Sequence, residues 1–110
     1  MMLDQFAAVN YDDHGGNPAG GYVRGTGLEI RWQEGPLGRG EERREPNGAF
    51  VETVIAAAKQ RIEYYQRAAG GRFACEENEA AIQHLDVALE FLNQRTQQRE
   101  ARGVEGTHER

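Results

Sequence analysis

Ile82, Leu85, Leu89 and Leu92 recur at three- and four-residue spacings, so they fall on one face of a helix and need a partner to bury against. The same line of positions continues to Asn78 at one end and to Thr96 and Arg99 at the other. The seam is therefore apolar in its middle and hydrogen-bonding at both ends. Beside it Ala81, Ala88, Arg95 and Arg102 sit one heptad apart, which sets two more guanidinium groups alongside Arg99. The run from Gly103 to Glu109 is too rich in turn formers to extend the helix. Upstream, Val51, Ile55, Ala58, Ile62 and Tyr65 form one stripe, and Phe50, Val54, Ala57 and Tyr64 a neighbouring one, a face broad enough for two partners. Pro46-Asn47-Gly48 reads as the entry to this earlier helix, with Asn47 as its N-cap, and Gly70-Gly71 as its end. The connection through Phe73 and Cys75 is short, which predicts an antiparallel helical hairpin. The second helix is the longer, so its arginine-bearing end is predicted to need something beyond its intramolecular partner.

Before the helices the period changes. Leu28, Ile30 and Trp32 alternate with Glu29, Arg31 and Gln33, the pattern of a strand with one buried face. With Tyr22 to Arg24 on the far side of Gly25-Thr26-Gly27, a hairpin with a short glycine turn is predicted, and Trp32 is expected to anchor the sheet to the helices. Residues 1–20 hold one weakly apolar patch, Phe6 to Val9, ahead of Asp12, Asp13, His14 and a run of Gly, Asn and Pro. Such a composition predicts a flexible arm. The fold class expected is α+β: a small N-terminal antiparallel sheet followed by two long antiparallel helices, with residues 21–110 as one domain.

At 110 residues the chain has room for a modest core, and 38% hydrophobic against 28% charged residues concentrates apolar surface in few segments, so self-association is expected. A net charge of -5 argues against a general DNA binder, which carries a broad basic face. A lone cysteine, Cys75, allows no internal disulfide; with no signal peptide or membrane-length apolar run, a reducing cytoplasm is expected, and Cys75 reads as a buried structural thiol.

Arg95 and Arg99 are one helical turn apart, so both can grip a pyrophosphate, with Arg102 a further turn along. Asn78 suits a base edge or a ribose hydroxyl; Tyr64, Tyr65 and Phe73 offer faces for a purine; Glu105 and Thr107 in the tail could close over a ribose. The plainer alternative is a solvated face in which these arginines pair with Glu90 and Glu100. No Ser/His/Asp arrangement is present, His84 reads as a partly buried structural histidine, and His108 has no acid partner nearby in sequence. Asp12, Asp13 and His14 lack a distant fourth ligand, so they read as a turn. No P-loop or dinucleotide fingerprint accompanies the Gly35 to Gly40 loop. A binder is expected, with no catalytic residue, metal or cofactor.

Four segments carry a likeness. The run from Ile30 to Gly40, Pro46 to Glu52, Phe73 to Asn78, and Arg95 to His108 resemble the first family of phage Thoeris anti-defence proteins, from about Gly20 to the C-terminus. The resemblance implies a sponge for immune signals: glycosidically cyclised ADP-ribose, made by bacterial TIR-domain enzymes in the host cytoplasm, held intact between protomers of a dimer or hexamer. Some members of that family also sequester cyclic di- or trinucleotides at separate sites. Transferred position by position, the resemblance implies Asn78, Arg95 and Arg99 as ligand-binding residues, with Tyr65, Glu105 and Thr107 beside them. An enzyme cleaving such signals, or a hairpin that blocks the effector by direct contact, are the alternatives.

Overall fold

The structure, a computed structural model, describes residues 5–110. Three antiparallel strands in the order β1-β2-β3 open the chain: β1 over Ala7–Asp12, β2 over Pro18–Gly25 and β3 over Leu28–Arg31. The β2–β3 hairpin forms where the alternation places it, with Gly25 opposite Leu28 and Tyr22 opposite Arg31. β1 is a departure from the flexible arm expected over residues 1–20, of which the first four lie outside the described residues. Its order comes from the backbone ladder to β2, in which Val9 pairs with Tyr22, and from the turn that follows. There Asp13 Oδ1 accepts the N–H groups of Gly15 at 2.8 Å and Asn17 at 3.0 Å. Apolar burial, which the composition reading weighed, has little part: Phe6 is 54% exposed and Tyr11 51%.

β3 stops at Arg31, and the chain then pairs with a distant segment. Ala49 donates to Arg31 O at 2.7 Å and Gln33 donates to Ala49 O at 2.9 Å, a short parallel bridge about Trp32. Gly48 permits it, because a Cβ there would lie 2.5 Å from the Trp32 carbonyl. Asn47, expected as a helix N-cap, works in this junction instead. Its Oδ1 accepts the Glu34 N–H at 2.8 Å, and its own N–H donates to Gln33 Oε1 at 2.8 Å. The helix begins four residues later, so the side chain is out of reach of its first turn.

That helix, α1, spans Val51–Arg67, and α2 spans Glu76–Ala101. Lys59 meets Asp86 and Gln66 meets Cys75, so partner numbers fall as α1 numbers rise, and the two helices are antiparallel. On α2 the predicted seam is the half-buried face from Asn78 through Ile82, Leu85, Leu89 and Leu92 to Thr96. On α1 the seam is rotated from the expected stripe. Ile55, Lys59, Ile62 and Gln66 are half-buried, while Val51, Ala58 and Tyr65 face water. The expected stripe counted only apolar residues; the observed one accepts Lys59, which meets Asp86 of α2, and Gln66, which meets the Cys75 backbone just ahead of α2.

The chain divides into two units, one holding the residues up to Phe50 with Arg102–Arg110, the other Val51–Ala101. A single domain from 21 onward was the expectation. The division follows from the tail, which bonds to the segment before α1 and so belongs with the sheet in contacts as well as in chain ends. No hydrophobic side chain among the described residues is buried in the single chain.

Candidate functional site

The turn between the helices builds a cleft. α1 ends at Arg67, and the next residues reverse the chain with left-handed backbone at Ala69 (φ 52) and Gly70 (φ 68). Gln66 spans the reversal from the α1 side. The result places Arg61, Tyr64 and Tyr65 of α1, with Ala68 just after it, against Phe73 and Asn78, around a cavity of ≈ 350 Å³.

Its chemistry is aromatic and cationic. The Tyr64 and Tyr65 rings lie 5.8 Å apart at 59°, and the Arg61 guanidinium stands 5.0 Å from the first centroid and 4.9 Å from the second. Arg67 lies 5.7 Å from the Tyr64 ring, and Arg72 4.7 Å from that of Phe73. Guanidinium over a ring face is attracted by the ring's quadrupole, and the tilted ring pair with its arginines sets apolar faces and positive charge side by side. Two of the sequence-predicted site residues, Tyr65 and Asn78, are brought together here. Arg61 was missed. Its signal was present, since it precedes Tyr64 and Tyr65 by three and four residues and so shares their helix face.

The arginines at the other end of α2 form a separate group. Arg95 is exposed, whereas Arg99 is buried, 9% exposed. At ~1.5 Å per residue, α2 rises ~26 Å from Asn78 to Arg95 and ~32 Å to Arg99. Within one chain, Asn78 and these arginines therefore cannot touch the same small molecule. Arg102 is exposed and follows directly on the helix.

Glu105 and Thr107 form the third group, engaged with protein. Arg43 holds both carboxylate oxygens of Glu105, at 2.7 and 3.1 Å. The Thr107 hydroxyl donates to Val104 O at 2.5 Å and accepts the Glu109 N–H at 3.2 Å, tightening the tail's own turn. The tail's His108 adds a favourable field at Asp13, whose carboxyl is held below the ordinary 3.8 chiefly by the Asn17 N–H and also by that of Gly15.

Two expectations about single residues are corrected. Cys75 is exposed, because it lies at the hairpin turn just ahead of α2, outside the helix–helix seam. His84 is exposed as well, for it sits between Ile82 and Leu85 on a helix whose seam passes to either side of it. Among the described residues no helix is long and apolar enough to cross a membrane.

Fold and cleft together define a small α+β protein whose helical hairpin carries an aromatic–arginine cleft at its turn. Residues 25–97 match the Acb2/Tad1 hairpin domain family. A relative, Thoeris anti-defense 1 of Bacillus phage SBSphiJ7, is 42% identical over 81 residues, which is 74% of this chain and 52% of the relative. The chain thus spans about half the length of the curated relative that it matches. It belongs to the Acb2/Tad1 hairpin family.

Proposed function

We propose that this chain is a phage anti-Thoeris protein that sequesters glycosidically cyclised ADP-ribose without degrading it, in an assembly of two or more copies. Family membership and the name of the phage relative support the biological role. The observation that carries the mechanism is the distance along α2. An adenine-accepting cleft at Asn78 and a phosphate-gripping pair at Arg95 and Arg99 are complementary halves of one site, but a rigid helix holds them ~26 Å or more apart.

Two antiparallel copies related by a two-fold axis resolve this, since each brings its arginine end to the other's cleft and forms two equivalent sites. Tyr65 and Asn78 then hold base and ribose from one copy, and Arg95, Arg99 and Arg102 hold the two phosphates from the other. Charge-assisted bonds of this kind contribute roughly 1.5–3 kcal/mol each, enough for tight retention from a few contacts. The apolar side chains left in water by one chain, Val87 and Phe91 on α2 among them, support burial against a second copy.

The test is to incubate the protein with a cyclic ADP-ribose made by a TIR enzyme, remove free ligand, and denature by heat. Recovery of the intact ring is expected. A linear or otherwise converted product would show an enzyme instead, and no depletion of the ring at micromolar protein would end the proposal.

A further inference from the structure

The segment from 35 to 44 and the tail from 103 to 109 are joined more densely than either needs in order to turn. Gly38 donates its N–H to Gly106 O at 2.8 Å, and Arg39 Nη1 donates to Glu105 O at 3.1 Å. Arg43 Nη1 donates to Glu105 Oε2 at 2.7 Å and Nη2 to Oε1 at 3.1 Å, while Nη1 also reaches Gly38 O at 3.3 Å. A planar fork on both oxygens of a carboxylate fixes orientation as well as distance, which a lysine ammonium cannot do. Gly106, at φ 79, passes so near the Gly38 carbonyl that any Cβ would overlap it. The loop and the tail thus make one clasp.

Where the clasp lies along the chain gives it a consequence. α2 ends at Ala101, and only Arg102, Gly103 and Val104 separate that end from Glu105. This short stretch follows the helix directly in the chain and leads into the residue that Arg43 grips. Glu105 has its carboxylate turned to Arg43, so it serves as an anchor for the tail that carries Arg102 and Thr107. Ordering a loop in advance removes the conformational cost that binding would otherwise meet, and among variants of one interface the gain is read mainly in dissociation.

We propose that Arg43 is a positioning residue for ligand retention: by gripping Glu105 it fixes the tail that carries Arg102 and Thr107, and so sets how slowly a bound signal leaves. This rests on the sequestration reading above. Arg43 itself need not touch the ligand.

The test uses the full chain and a cyclic ADP-ribose as probe. In the free protein, Arg43→Gln is expected to speed hydrogen exchange of the tail amides from 103 to 107. With probe bound, it is expected to raise the dissociation rate about tenfold and leave the association rate within about twofold, as loss of one bidentate pair implies. Glu105→Gln should do the same, the double variant should be no worse than either single one, and Arg43→Lys should fall between. Glu105→Gln keeps the proposal testable if Arg43→Gln does not fold. Wild-type protein that retains the probe, alongside variants that release it equally slowly, overturns the clasp alone. Wild-type protein that retains no probe overturns the sequestration reading and this one together.

Discussion

The side-chain amide of Gln66 bridges the hairpin turn to the backbone of Cys75, donating from Nε2 to the carbonyl at 3.1 Å and accepting the N–H on Oε1 at 3.0 Å. Cys75 immediately precedes α2, so one side chain of α1 satisfies both a donor ahead of the second helix and an acceptor in the connection. Gln66→Ala is therefore expected to destabilise the protein by about 1 kcal/mol, since two solvent-accessible hydrogen bonds are lost. Urea unfolding followed by circular dichroism measures it. A variant as stable as the parent would make the bridge incidental.

Ala69 occupies left-handed backbone at φ 52, where its Cβ is disfavoured. Ala69→Gly removes that strain but gives the unfolded chain more freedom, and the two effects leave a net gain of about 0.5 kcal/mol. A fall in thermal midpoint on this substitution would mean that the methyl group packs in the cleft wall.

Lys59 donates to Asp86 at 2.5 Å, and this bond raises its pKa above the ordinary 10.5, with Glu63 adding to the field. A cation favoured in the folded state contributes stability that is fully present below the unfolded pKa and is lost as pH rises through the folded value. Stability of the hairpin should therefore decline above about pH 10.5. In Lys59→Met the decline over that range should be shallower. Equal slopes in the two proteins would remove Lys59 from the account.

If each ligand site joins the cleft of one copy to the arginines of another, the two halves can be inactivated in different chains. Homodimers of Asn78→Ala and of Arg99→Ala should each lose retention by about a hundredfold, as two charge-assisted or bidentate bonds disappear. In a mixed dimer both lesions fall in one site and the other is intact, so ligand capacity should return to half that of the parent. A mixture that retains nothing argues for a site contained in one chain.

Much of the hairpin was legible in the sequence. The seam from Ile82 to Leu92 needed only helical spacing, and β3 only alternation. The rotated face of α1 was not legible, because Lys59 and Gln66 enter a seam only when partners sit opposite, and no one-dimensional pattern shows what lies opposite. β1 was missed for a related reason: its order depends on backbone pairing to β2, which side-chain composition does not encode. Of the site, Tyr65 and Asn78 were read as ligand groups and share a cleft, while Arg61 beside them was passed over. Glu105 was read as a tail residue able to close over a ribose, and as a position carried over from the family resemblance. Its bond to Arg43, 62 positions away, could be seen only once the chain was folded.

Among the described residues a single copy withdraws no apolar side chain fully from water, so if copies assemble as proposed, stability grows with the protein's own abundance. Scarce chains would be prey for host proteases, whereas plentiful ones would shelter each other. Under the proposed function, a molecule lodged between copies would tighten them further by mass action, so a stronger alarm signal would lengthen the lifetime of the protein that sequesters it.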